Sequence, residues 1–283
     1  MARRQLLPDD LTPEQVIALQ DALLVNADRL LRAALTALDA EDAALARSLA
    51  ILGMEESGKA IALHERRVMM AYVPEGEAFV DQRLRDLWGQ HVRKLDVVHH
   101  FLVNEEYWFG TQPSDPEENA EVLGTIDLWR QNHNAYKQRG FYVDISIEGD
   151  PVTPEQAAHA DAVRAVIGHV HQIGWQLRLG EHIEGRRQED RARDMPPATE
   201  KEIDDMRHLM RSVDREIVED IIESMRKGTK GEKPNNAAYC FTLPKNPFEN
   251  VGRPGYEAQD RELFALMERV EAERPDEDQD PAG

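Results

Sequence analysis

Glu55, Glu56 and Lys59 lie within one turn and a half of a stretch that reads as helix. His91 and Lys94 lie one turn apart on the next such stretch. Carboxylate, imidazole and ammonium side chains brought together can move a proton to and from a reacting oxygen while positive charge holds an anion. At about 100° per residue, Leu45, Leu49, Leu52, Glu56 and Leu63 fall on one line. Glu56 is therefore expected inside an apolar stripe, where a carboxylate is costly unless paired. Glu55 flanks it, four residues before Lys59, in the favourable order for a helical ion pair. On the next helix Leu84, Leu87, Trp88, Leu95, Val98 and Leu102 form the stripe, with His91 at its centre and Lys94 at its edge. A short connection implies antiparallel packing, which sets a glutamate opposite a histidine with two lysines beside them. The plainer alternative is an internal ion-pair network that only fixes helix register.

The elements that must position these residues are almost all helical. Thr12-Pro13-Glu14-Gln15 is a start signal, with a Thr cap, Pro at the first helical position and Gln three after the Thr. Apolar residues then recur at helical spacing as far as Ala40. Further helices are predicted over 41–70, 78–108, 117–138, 153–187, 199–225 and 257–273, separated by Pro74, Gly76, the Pro113–Pro116 break and Gly140. Phe141 to Ile147 alternates apolar and polar and is predicted to be extended, lying on the bundle without a sheet to join. Residues 227–233 read as a flexible basic loop. The fold class predicted is all-α, a helical bundle with one short extended segment and a helical C-terminal extension. Three regions are expected: a helical domain over 1–190, an extension carrying the basic loop over 191–255, and a short helix with a disordered acidic tail over 256–283.

Composition narrows the function. Acids outnumber bases 54 to 34, a formal net charge of −20, so a broad basic footprint for duplex nucleic acid is not expected, although a local site on an acidic body is. The single cysteine, Cys240, excludes an internal disulfide framework and a cysteine-cluster metal site and fits a reducing cytoplasm. No apolar run long enough to span a membrane occurs, and mean hydropathy is −0.60. Gly53 to Lys59 mimics a phosphate-binding loop, but Ala60 stands where the metal-binding hydroxyl belongs and no strand precedes it. His169 and His171, two apart on a helix, face different ways, and with His159 and His182 they are read as core or surface histidines. Neither a metal nor a cofactor is expected.

Three motifs together carry a family resemblance. Residues 46–60 hold Glu55-Glu56-Ser57-Gly58-Lys59, His91 and Lys94 form a His-x-x-Lys helix, and Lys137, Gly140, Phe141, Tyr142, Val143 and Asp144 form a third segment. In this order, over roughly residues 15–180, they resemble the AbiV family of phage abortive-infection proteins, which belongs to the HEPN-like all-helical folds. The resemblance implies phage defence. Many HEPN proteins are RNA-cutting toxins that act as dimers, so it also implies a homodimer, RNA as substrate and a phage protein as trigger. The usual HEPN signature, Arg-x(4–6)-His, is met here by Arg85–His91, Arg93–His99, Arg93–His100, Arg164–His169 and Arg164–His171. About three such pairs arise by chance at this composition, so the pattern alone does not select a site.

Two functions follow. In the first, the protein is a metal-independent ribonuclease in which Glu55, Glu56, Lys59, His91 and Lys94 form the catalytic group, His91 and Glu56 being the acid–base pair and the two lysines holding phosphate charge. Arg93, His99 and Asp144 are secondary candidates. In the second, the protein is a non-catalytic helical module that binds a phage or translation component and arrests translation.

Overall fold

A computed structural model describes residues 7–107, 115–156, 160–211 and 213–242. The helix expected over 257–273, the acidic tail, Trp108 and His159 lie outside the described residues. The architecture is all-α. Its helices are α1 (Pro13–Asp39), α2 (Ala43–Met70), α3 (Gln82–Trp88), α4 (His91–Asn104), α5 (Pro116–Leu123), α6 (Ile126–Arg139), α7 (Ala160–Ala192), α8 (Glu200–Leu209) and α9 (Arg215–Lys227). One hairpin, β1 (Asp144–Ile145) with β2 (Pro151–Val152), sits between α6 and α7. The start of α1 is the expected capping box: the Gln15 N–H donates to Thr12 Oγ1 at 3.3 Å and the Thr12 N–H to Gln15 Oε1 at 2.9 Å.

Helix α2 is the axis of the bundle, packed against α1, α4, α6 and α7. It has no solvent face in its middle turns: Ile51, Met54, Glu55, Ser57, Gly58, Ala60, Ile61 and Leu63 are all buried. That removes the premise of a single apolar stripe, because each side of α2 has its own partner. Direction follows from the contacts. Glu55 meets His91, Gly58 meets Lys94, and His64 meets Tyr107 just past α4, so α2 and α4 run the same way. The expected antiparallel pair is not formed, because residues 71–81 and α3 make the return journey. Helix α6 is the antiparallel neighbour, with Gly140 lying against Ala44 and Ser48 near the start of α2.

Periodicity carried several predicted helices across breaks. The helix predicted over 78–108 is two: α3 ends at Gly89, and Gln90 is extended at φ −115°, so that His91 begins α4. The helix over 117–138 is interrupted at Gly124, whose φ of +76° suits only glycine. Likewise, α8 and α9 divide the helix expected over 199–225, because Asp214 caps a fresh start. The extended segment is not lone and does not lie on the bundle. Asp144 pairs with Val152 and Ile145 with Pro151, and Val143, Ile145 and Ile147 face solvent.

Beyond α7, the chain returns to the bundle. Asn236, left-handed at φ 45°, donates to the carbonyls of Met70, Val73 and Pro74, and the Tyr239 hydroxyl donates to the Leu11 carbonyl at 2.7 Å. Residues 235–241 thereby tie together the start of α1 and the end of α2.

Two close approaches set the helix spacing around Glu55. A Cβ on Gly58 would lie 2.5 Å from the Lys94 carbonyl oxygen, and one on Gly140 would lie 2.3 Å from the Ala44 carbonyl oxygen. Gly168 on α7, by contrast, has open space at that position. Gly58→Ala and Gly140→Ala are each expected to cost about 1–3 kcal/mol in urea denaturation through overpacking. Gly168→Ala is expected to stabilise by about 0.5–1 kcal/mol through helix propensity alone.

Candidate functional site

Glu55 lies at the mid-point of α2 with 3 % of its surface exposed. A carboxylate there must be compensated, and two neighbouring helices supply the partners. His91 Nδ1, on the first residue of α4, lies 2.5 Å from Glu55 Oε2. Lys137 Nζ, from the last turn of α6, donates to Glu55 Oε1. Lys94 Nζ, one turn along α4 from His91, is 4.0 Å from Oε2. Both lysines are buried, while the His91 side chain is 43 % exposed.

Local sequence explains each placement. Gly58 lets the α4 backbone close on α2, which brings His91 and Lys94 within reach of a carboxylate one turn earlier. Gly140 does the same for the end of α6, where Ser48 Oγ lies 2.9 Å from the Lys137 carbonyl and 3.1 Å from that of Ala44, donating to this pair. The break at Gly89-Gln90 turns the chain so that His91 opens a helix rather than sitting inside one. The first turn of α4 has neither an acidic residue nor a side-chain cap from Gln90. Its N–H groups and dipole therefore favour an anion beside His91.

A carboxylate only accepts, so His91 Nδ1 carries the proton in this contact and Nε2 is left with a lone pair in the neutral ring. Among the described residues His91 Nε2 has no hydrogen-bond partner. Half-exposed, oriented by a buried carboxylate, this imidazole can take a proton from a substrate hydroxyl.

The expected members fall into two groups. Glu55, His91 and Lys94 meet. Glu56 does not face His91: it pairs with Lys59 across one helical turn at 2.6 Å, and the Lys59 ammonium stands 5.4 Å from the centre of the Trp88 ring. The carboxylate inside the bundle is therefore Glu55, one residue before the one the helical wheel selected. Lys137 belongs to the third sequence motif, and the signal for its place is its spacing to Gly140, a lysine one turn before a helix end that packs tightly.

The secondary candidates lie elsewhere. Arg93 pairs with Asp86 at 3.1 Å on the surface. His99 is buried, donates from Nε2 to the Gly124 carbonyl at 2.9 Å, and meets the Trp129 ring edge-on at 5.4 Å. It holds the break between α5 and α6, so Arg93 and His99 do not assemble into a pair. Asp144 is exposed on the hairpin, accepting from the Ile145 N–H. Among the described residues no three His, Cys, Asp or Glu side chains converge as metal ligands, and no helix is long and apolar enough to cross a membrane.

A second buried polar group, not anticipated from the sequence, anchors the far end of α4. His64 Nε2 is 2.9 Å from the Tyr107 hydroxyl, which donates to Glu184 at 3.4 Å, and Arg187 closes on Glu184 at 2.5 Å. Gly180 makes room for the Tyr107 ring, which a Cβ would approach to 2.6 Å. Burial, reinforced by Arg67 and Arg178, pushes His64 down from 6.5 to about 3, and burial and the acidic Glu184 push the Tyr107 hydroxyl up. Neither group titrates near neutrality, which marks a structural clamp rather than chemistry.

The linkage sign for His64 is fixed by that depression. The folded state holds it neutral, so its stabilisation is complete above about pH 6.5 and is lost as the pH falls toward about 3. Against a His64→Asn control, wild-type stability is expected to fall by up to about 1.4 kcal/mol per pH unit across that window, followed by urea denaturation.

Comparison with known proteins supplies one match. The family model HEPN_AbiV, described as AbiV, matches residues 15–175, from the start of α1 into α7, and so takes in Glu55, His91, Lys94 and Lys137. No curated protein and no solved structure matches the chain. With more than half of its length covered by that model, the chain belongs to the AbiV family of HEPN-like proteins.

Proposed function

We propose that the protein acts in abortive infection as a HEPN-type ribonuclease, cutting RNA without a metal through His91. The observation that carries this reading is the His91 ring, held at Nδ1 by the buried Glu55 and half-exposed on its other side. His91 Nε2 takes the proton of a ribose 2′-hydroxyl. The oxygen attacks the adjacent phosphorus, the bond to the 5′ oxygen breaks, and a 2′,3′-cyclic phosphate and a 5′-hydroxyl are formed. Glu55 stabilises the imidazolium that develops. Lys94 supplies positive charge to the crowded phosphorus and a proton for the departing oxygen. The open first turn of α4 adds N–H groups for the non-bridging oxygens.

Local charge supports an anionic substrate. Lys59, Lys94 and Lys137 outnumber Glu55 and Glu56 here, on a chain whose total is −20. A homodimer, a phage-protein trigger and a cytoplasmic location complete the reading, each resting on the family resemblance or the sequence. The buried lysines serve equally in the second reading, a translation-arresting module whose ion network only fixes helix register. The two differ at His91, because a register device has no need of a half-exposed imidazole.

The test is cleavage of purified cellular RNA in the presence of a chelator, with intact His91 and with His91→Gln. The variant is expected to lose about 10²- to 10⁴-fold in rate while keeping its melting temperature, since it removes a proton acceptor and little packing. No cleavage by the wild type favours the binding module, and equal cleavage by both proteins places the chemistry away from His91. Glu55→Gln is expected to cost about 3–5 kcal/mol in stability as well, because it leaves the buried Lys137 without its counter-charge.

A further inference from the structure

The hairpin β1–β2 has no part in the site, yet it and the residues leading into it gather exposed apolar side chains. Phe141, Tyr142, Val143, Ile145 and Ile147 are all exposed, within seven residues of one another. Contiguous apolar surface of this kind marks an interaction site. The turn is well made: the Ser146 N–H donates to the Asp150 carbonyl at 2.8 Å, the Gly149 N–H to the Ser146 carbonyl at 3.0 Å, and Gly149 takes the φ of +91° that the turn requires. The exposed side chains therefore sit on a shaped arm. Its sheet has only two strands among the described residues, and a two-stranded sheet is marginally stable until a third strand or a covering element joins it.

Charge identifies what joins. From Gly140 to Val152 the chain carries Asp144, Glu148 and Asp150, all exposed, and not one lysine or arginine. A nucleic acid would be repelled by this segment. A second copy presents the same acidic arm, so self-association through this arm meets like charge. An extended segment of another protein, with basic residues alternating with apolar ones, satisfies both features: it adds a strand to an open edge, covers Val143 and Ile145, and sets its cations against the acids. We propose that the β1–β2 arm is a docking strand for such a basic, extended segment of a protein partner. The proposal stands apart from the chemistry assigned to His91.

The full chain tests it with a fluorescent eight-residue peptide alternating lysine and valine, alongside one alternating glutamate and valine. The control protein carries Ile145→Ser and Ile147→Ser, which leave the net charge unchanged, so general attraction between a cationic peptide and an acidic protein persists in it. The lysine peptide is expected to bind the wild type at least about tenfold more tightly than the control protein, to weaken with added salt, and to slow amide exchange across residues 143–152. The glutamate peptide is expected not to bind. Equal binding of the lysine peptide to both proteins, or no slowing of exchange in the arm, overturns the proposal. So does self-association of the wild type that the two serines abolish, since the occupant is then a second copy.

Discussion

A carboxylate placed in the middle of the central helix of a bundle must be neutralised there, and the arrangement around Glu55 follows from that requirement. No single neighbour does it. His91 and Lys94 come from α4 and Lys137 from α6, so the charge balance holds only while both helices stay packed on α2. The cost of burying Glu55 thus becomes a coupling between helices, and loss of either lysine leaves the remaining buried charges without balance. Gly58 and Gly140 belong to the same constraint, because a lysine or histidine of fixed length reaches the carboxylate only if the backbones approach as closely as these residues allow.

Two buried polar groups show how environment separates structural from chemical use of the same residue types. His64 and His91 each bind an oxygen of a neighbouring helix or loop. His64 is enclosed, with cationic Arg67 and Arg178 near it, and is held neutral well below neutral pH. His91 is bound to a carboxylate on one side and half-exposed on the other. The first arrangement clamps the ends of α4, α2 and α7 around Tyr107. The second leaves a nitrogen that a substrate can reach. The clamp serves the site indirectly, because it anchors the far end of the helix whose first residue is His91.

Much of this was legible before the fold was known, and the errors have physical causes. The helical class and the capping box at Thr12 follow from periodicity and caps, while the Glu55–Lys59 and His91–Lys94 helices meet as a parallel pair and not the antiparallel one that a short connection implies. The choice between Glu55 and Glu56 does not, because a helical wheel assumes one buried face and α2 is buried on several. Adjacent residues then belong to different interfaces: Glu55 to α4 and α6, Glu56 to the turn near Trp88. The broken helices escaped detection because apolar spacing continues across Gly89, Gly124 and the start of α9 at Asp214, while only local backbone geometry ends them. Lys137 lies 82 residues from Glu55, and no local pattern reports a pairing of that range. The clamp on His64 was invisible for the same reason.

The account rests on Glu55 holding the proton on Nδ1 of His91, and nitrogen-15 NMR of histidine-labelled protein near neutral pH reads that proton directly. The account predicts a protonated, slowly exchanging Nδ1 at His91, which speeds up in exchange when Glu55 is replaced by glutamine. An unprotonated Nδ1 at His91, with the ring proton residing only on Nε2, would contradict it.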